Sequence, residues 1–249
     1  MIDIRAYSLQ EFIQHYLPRQ SPRHGIQATV LHHTYRPDAS GYQGLQTIRD
    51  IQAYHRQQRG WRDIGANAYV APDTKIYNAR PLHWSNYAHA YIRKGWDHVP
   101  PQLRELAEPD RNFLNRHAFG IEIIGNFDIQ AITPLPPALD AALDLAAAVH
   151  RLYDLPPWRL FLHRDVAYKS CPGHNIRRSW ARKQLARRME ETQAIRVQFL
   201  GEKTAIPCRA CLEDGVTRCD LRTLAEALGY TVLADDLSTS KTVYLHSDS

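Results

Sequence analysis

The stretch His163-Arg164-Asp165-Val166-Ala167-Tyr168-Lys169-Ser170-Cys171-Pro172-Gly173 sets an imidazole and a thiol eight positions apart and closes on a Pro-Gly turn signal. Neutral nitrogen and thiolate sulfur both suit zinc. Two ligands do not make a site. The best third candidate lies far upstream, where the apolar run of Val30-Leu31-His32-His33-Thr34 ends in two histidines. Neighbours on a strand point to opposite faces, so one ligand is expected from that pair, and His32 is taken as the ligand. His32, His163 and Cys171 would leave a fourth position open, the arrangement of catalytic rather than structural zinc. A carboxylate, Glu122, interrupts the dense apolar run Phe119–Gly125. Its burial is costly unless it is paired, protonated or near a metal.

These groups are far apart in sequence, so a set of ordered elements must bring them together. A short helical patch is expected around Leu9–Tyr16, within an N-terminal arm. Ile26–His32 reads as a strand that delivers His32 to a loop, and helical spacing of apolar residues predicts an amphipathic helix over Gln43–Gln58, stopped by Gly60. A strand over Ala66–Ala71 then turns through Pro72-Asp73 into Lys75–Asn78. Residues 93–116 are charged and Pro-containing, with a helical patch around Gln102–Ala107, and read as an insertion that either borders the cleft or runs over the surface. Phe119–Gly125 is an inner strand. Leu139, Leu143, Ala146 and Tyr153 recur at helical spacing, which predicts a helix over Pro137–Leu155, ended by Pro156-Pro157. A short strand over Arg159–Leu162 leads into His163, and a basic helix over Asn175–Thr192 follows.

Four segments in this order carry a resemblance: Val30-Leu31-His32-His33-Thr34, Gly60-Trp61-Arg62-Asp63-Ile64-Gly65, Phe119-Gly120-Ile121-Glu122-Ile123-Ile124-Gly125-Asn126-Phe127, and the His163 stretch with its closing Cys171-Pro172-Gly173. Together the chain resembles the zinc-dependent N-acetylmuramoyl-L-alanine amidases of the type 2 family, related to peptidoglycan-recognition proteins, over roughly residues 20–190. The resemblance implies an α/β fold, a central mixed β-sheet flanked by helices. It also implies one zinc per chain on His32, His163 and Cys171, and a substrate, the amide joining the lactyl group of N-acetylmuramic acid to L-alanine in bacterial peptidoglycan. An amide resists hydrolysis because water is a poor nucleophile and the tetrahedral oxyanion is unstable; zinc addresses both. By the same resemblance Glu122 is the general base, the Lys169 ammonium faces the developing oxyanion, and the segment containing Tyr87 and His89 lines the substrate cleft. Many relatives place a Tyr directly after the glycine of the second segment. Here that position is Ala66, and Tyr69, three residues on, is expected to face the other side of the sheet.

Residues 195–249 differ in character and are expected to form a small α+β accessory domain after a catalytic domain of residues 1–194. Strands are expected at Arg196–Leu200 and Thr242–Leu245, with a helix and a strand in Leu221–Val232, similar to the domain named after the N-terminal region of copper amine oxidases, here read as a wall-targeting attachment. This segment holds 6 Lys and Arg against 8 Asp and Glu, leaving 25 against 18 in residues 1–194. A basic catalytic body suits an anionic polymer such as a bacterial wall, and equally nucleic acid. No helix-turn-helix or aromatic-interleaved basic pattern accompanies it, so nucleic acid is not the expected partner. Cys208, Cys211 and Cys219 supply only one half of a zinc ribbon. No apolar run approaches the roughly 20 residues that cross a bilayer. No secretory signal is visible at Met1–Tyr7, which fits a protein made in the cytoplasm that meets the wall on lysis, as phage lysis enzymes do. A rival is a peptidoglycan-binding module without hydrolysis, typically one that has lost the thiol ligand; Cys171 and Glu122 favour the enzyme.

Overall fold

The computed structural model describes residues 1–88 and 91–191 and, beyond them, the backbone of six further strands. Contacts divide the chain into a unit of Met1–Ala186 and a unit of Arg187–Ser249.

The elements of the first unit, in chain order, are β1 (Ala6–Tyr7), α1 (Leu9–Glu11), β2 (Ala28–His33), α2 (Leu45–Gln57), β3 (Ala68–Val70), β4 (Ile76–Asn78), α3 (Pro101–Ala107), α4 (Phe113–His117), β5 (Ala118–Ile123), α5 (Pro137–Leu152) and β6 (Leu160–Leu162), with α6 (Arg178–Glu191) running past its end. The six strands form one mixed sheet in the order β1-β4-β3-β5-β2-β6. β3, β5, β2 and β6 are parallel, while β4 and β1 add antiparallel pairs at one edge. The expected α/β fold, a mixed sheet between helices, is what the chain adopts.

Register assigns the two faces. His32 pairs with Glu122 and Glu122 with Tyr69, so these three stand in one row on one face. Thr29, Leu31, Phe119 and Ile121 alternate onto the other face, which α5 covers. That helix is nearly all apolar: Leu139, Leu143, Leu145 and Val149 are buried along with six of its alanines, whose small side chains allow close approach. Buried His150 ties it to the sheet, its Nε2 lying 2.8 Å from Thr29 Oγ1. On the first face two groups of side chains leave a gap between them. Ile48 of α2 packs with Ile64, Ala66, Tyr69, Tyr77 and Ile124. Leu103, Phe113 and Leu114 of α3 and α4 pack with Val30, Phe161 and Val166. Each fully buried side chain of this size contributes roughly 1.5–3 kcal/mol. The segment 93–116 is therefore part of the core, not a surface excursion. The gap opens at the carboxyl ends of the parallel strands, where ligands of open α/β sheets bind.

The expected elements shift at their edges. The third strand contracts to Ala68–Val70, and α4, too short and too charged to show a helical period, was not foreseen. Gly60 adopts a φ of 64° past the end of α2, in the left-handed region that glycine enters without penalty. In the second unit, β7 (Ala194–Phe199) pairs parallel with β12 (Thr242–Ser247) and antiparallel with β8 (Ala205–Arg209); β11 (Tyr230–Ala234) completes the four-stranded sheet, and β9 (Cys211–Glu213) pairs with β10 (Val216–Arg218). The strands expected near 196 and 242 correspond to β7 and β12. The helix expected before β11, and Cys219, lie outside the described residues.

Candidate metal centre

The parallel strands end at one edge and bring three candidate ligands to it. His32 is the penultimate residue of β2, and His163 follows β6 directly, opening a single 3-10 turn over His163–Asp165. Cys171 returns on the next loop, where its carbonyl accepts from Arg164 N at 2.8 Å. The ligand atoms of His32, His163 and Cys171 all lie within 4.8 Å of one another, and all three residues are buried. His33, its side chain on the opposite face, points away: its Nδ1 accepts the Phe127 amide at 3.1 Å, and burial lowers its pKa to about 4.

The donor set fits a tetrahedral ion. Bond lengths typical of zinc put ligand nitrogens about 3.3 Å apart, and nitrogen and sulfur about 3.6 Å apart. Here His32 Nδ1 lies 3.1 Å from His163 Nδ1 and 3.8 Å from Cys171 Sγ. Burial pushes the Cys171 thiol well above its ordinary value, and the Glu122 charge acts in the same direction. A thiol in that setting becomes thiolate when a cation is bound beside it. This group can hold a metal ion.

Sequence reading missed the supports of the cysteine loop. The Arg164 guanidinium donates to the carbonyls of Ser170, Gly173 and Ile176, fastening the loop on both sides of Cys171. Asp128 accepts from Ser170 Oγ at 2.7 Å and from His174 N at 3.0 Å, tying the same loop to the segment after β5. Asp165 accepts from Leu162 N at 3.0 Å and from Arg178 at 2.8 Å, which fixes the turn that carries His163. Arg182 of the basic helix likewise donates inward, to Leu160 O at 2.9 Å. The adjacency of Arg164 and Asp165 to His163 was the only available signal, since carbonyl acceptors leave no mark in a sequence.

Glu122 sits half-buried where two cavities meet. One, of about 400 Å³, is lined by the three ligand residues with Glu122, Lys169, Trp61 and His55. The other, of about 650 Å³, lies under α2 and is lined by Glu122, Tyr69, Asp50, Tyr54 and His55 among others. Burial raises the Glu122 carboxyl to about 8, against the opposing pull of the Lys169 charge. Lys169 is exposed at the rim. Tyr87 does not line either cavity; it stands behind Trp61, ring centroids 5.8 Å apart, with Arg80 over its face at 4.3 Å. His89 lies outside the described residues.

Tyr69 departs from expectation. The alternation argument assumed one strand through Ala66, but β3 begins at Ala68 and the chain bends before it. Ala66 and Tyr69 consequently pack in the same apolar group, on the face that carries Glu122.

Residues 21–174 match the family Amidase_2, described as N-acetylmuramoyl-L-alanine amidase. Among similar proteins, peptidoglycan-recognition protein LB of Drosophila melanogaster is 32% identical over 59% of this chain and 54% of its own length. An N-acetylmuramoyl-L-alanine amidase of Sus scrofa is 30% identical over 61% of this chain and 23% of its own. The chain thus spans about half the length of the first relative and about a quarter of the second. A solved structure, the endolysin N-acetylmuramoyl-L-alanine amidase LysCS from Clostridium intestinale, superposes with a TM-score of 0.46 at 25% identity, covering 67% of this chain and 88% of that one. With the family matched over more than half of its residues, the chain belongs to the Amidase_2 family of N-acetylmuramoyl-L-alanine amidases.

Proposed function

We propose that the protein hydrolyses the amide between N-acetylmuramic acid and L-alanine in peptidoglycan, with one zinc ion held by His32, His163 and Cys171. The observation that carries this reading is the buried two-histidine, one-thiol group beside Glu122 at the mouth of one cleft. Zinc, when bound, would polarise the scissile carbonyl and acidify an attacking water. The chain's own groups do the rest. Glu122, beside the metal-side cavity, would take a proton from the attacking water at its carboxylate and pass it to the leaving amine nitrogen. The Lys169 ammonium at the rim faces the oxyanion that develops on the carbonyl oxygen. Trp61 and His55 wall the cleft and keep bulk water from one side of it. Trp61, with Tyr87 behind it, forms the substrate side of the cleft. Residues 195–249 serve as an accessory attachment to the wall. No helix among the described residues is long and apolar enough to cross a membrane, and the substrate lies in the wall. As a lysis enzyme the protein would reach that substrate once the membrane is breached.

Purified protein tests the reading. It should contain one zinc per chain and release L-alanine N-termini from isolated wall. A zinc-loaded protein that binds wall without releasing amines would identify a recognition module instead.

A further inference from the structure

Two tyrosines sit in the apolar group under α2, and only one has its hydroxyl satisfied. Tyr77 Oη lies 2.7 Å from Tyr42 Oη, which donates on to Asp73. Tyr69 is fully buried, and among the described residues its hydroxyl makes no hydrogen bond. Leaving such a group unpaired is costly, and phenylalanine would fill the same space without that cost. An orphan of this kind calls for a reason.

Its surroundings supply one. The amides of Gly65 and Ala66 lie near the phenol oxygen, and amide N–H groups only donate, so the hydroxyl's own hydrogen has no acceptor among them. The acceptor on the same row of the sheet is Glu122, paired with Tyr69 across β3 and β5. Both line the cavity under α2. Among the described residues no hydrogen bond holds the Glu122 carboxylate. Of the other hydroxyls lining that cavity, Thr34 already donates to Pro37 O at 2.6 Å and Thr47 Oγ1 accepts from Gln43 N at 2.7 Å. Lys169 lines the metal-side cavity only.

We propose that Tyr69 is a positioning residue: its hydroxyl donates to the Glu122 carboxylate oxygen turned toward α2, and so aims the other oxygen at the reacting amide. A rotation of the Glu122 side chain or a single water closes the distance. The role rests on the reading of Glu122 as the proton-transfer group, and it adds a group that approaches Glu122 from the α2 side of the same face. A carboxylate that must take a proton and then deliver it about an atom's width away loses rate when it swings freely.

Tyr69→Phe keeps the ring and removes the hydroxyl. Its kcat on wall fragments should fall at least tenfold with KM and zinc content unchanged, while Tm holds or rises. A kcat within twofold of wild type would overturn the role, and so would a marked fall in Tm, which would make the hydroxyl a packing group. A second measurement needs no turnover. The Tm changes of Tyr69→Phe and Glu122→Gln should fail to add in the double variant; simple addition would show that the two groups do not interact. A zinc-loaded wild type without activity would count against the proposed function, and the Tm cycle would still decide the Tyr69–Glu122 pairing.

Discussion

Gly173 follows Cys171, the cysteine of the candidate metal centre, by two residues, and Gly173→Ala should damage both the fold and that centre. Its φ of 113° lies where residues with a Cβ rarely go. A Cβ added there would sit 2.5 Å from the Phe127 carbonyl oxygen and against its carbonyl carbon, so backbone would have to move. Backbone strain of this kind costs about 1–3 kcal/mol, and overpacking into a well-filled interior costs a further 1–3 kcal/mol or so. The sum, about 2–6 kcal/mol, is a large part of the roughly 5–15 kcal/mol that keeps a domain folded. The displaced residue also matters locally. Phe127 N donates to His33 Nδ1, and Phe127 O accepts from Asn175 N, so moving it disturbs the end of β2 and the loop that carries Cys171. Urea unfolding, read as a change in midpoint at constant m, measures the loss; zinc stoichiometry after gel filtration reports the site. Gly25→Ala, where an added Cβ meets nothing within 4 Å, is the control and should stay within about 0.5 kcal/mol of wild type. A Gly173→Ala protein as stable as that control, with full metal, would refute the close-approach argument.

Glu122→Gln should retain zinc and lose about 10²–10⁴-fold in turnover, the usual contribution of a general acid-base group; a loss under tenfold would remove Glu122 from the chemistry. Cys171→Ser should bring zinc well below one per chain after dialysis against a mild chelator, and full occupancy would argue for another ligand set. Stability should fall with acid because of buried His150. Burial lowers its pKa from an ordinary 6.5 to about 4, so between those values the unfolded chain binds more protons and stability rises with pH. His150 therefore stabilises fully above pH 6.5 and loses that share as pH drops toward 4, a change of up to about 3 kcal/mol. His150→Gln should flatten the slope of unfolding free energy over that window; an unchanged slope would assign it to His33 and His55, which burial lowers in the same way. A chain ending at residue 194 should fold and cut wall fragments, and an insoluble product would mean that the C-terminal unit shares its core.

The residues of the candidate metal centre and the long elements were readable because their signals are local. His32 at the end of an apolar run, the His163 to Cys171 spacing and the helical period of Leu139, Leu143 and Ala146 are each set by a few neighbouring side chains. Glu122 announced itself by standing charged in an apolar strand. What the sequence could not determine depends on where the backbone bends and what it meets. The face of Tyr69 hinged on β3 starting two residues later than its apolar run, which turns an argument from alternation on its head. The charged segment 93–116 could equally border the cleft or run over the surface; Leu103, Phe113 and Leu114 found a gap on the sheet to fill. Arg164 holds the cysteine loop through three carbonyls, and every residue owns a carbonyl, so only the folded chain could say which ones. Composition and period fix which side chains avoid water; register and backbone turns, set by contacts distant in sequence, decide which polar groups end up facing one another.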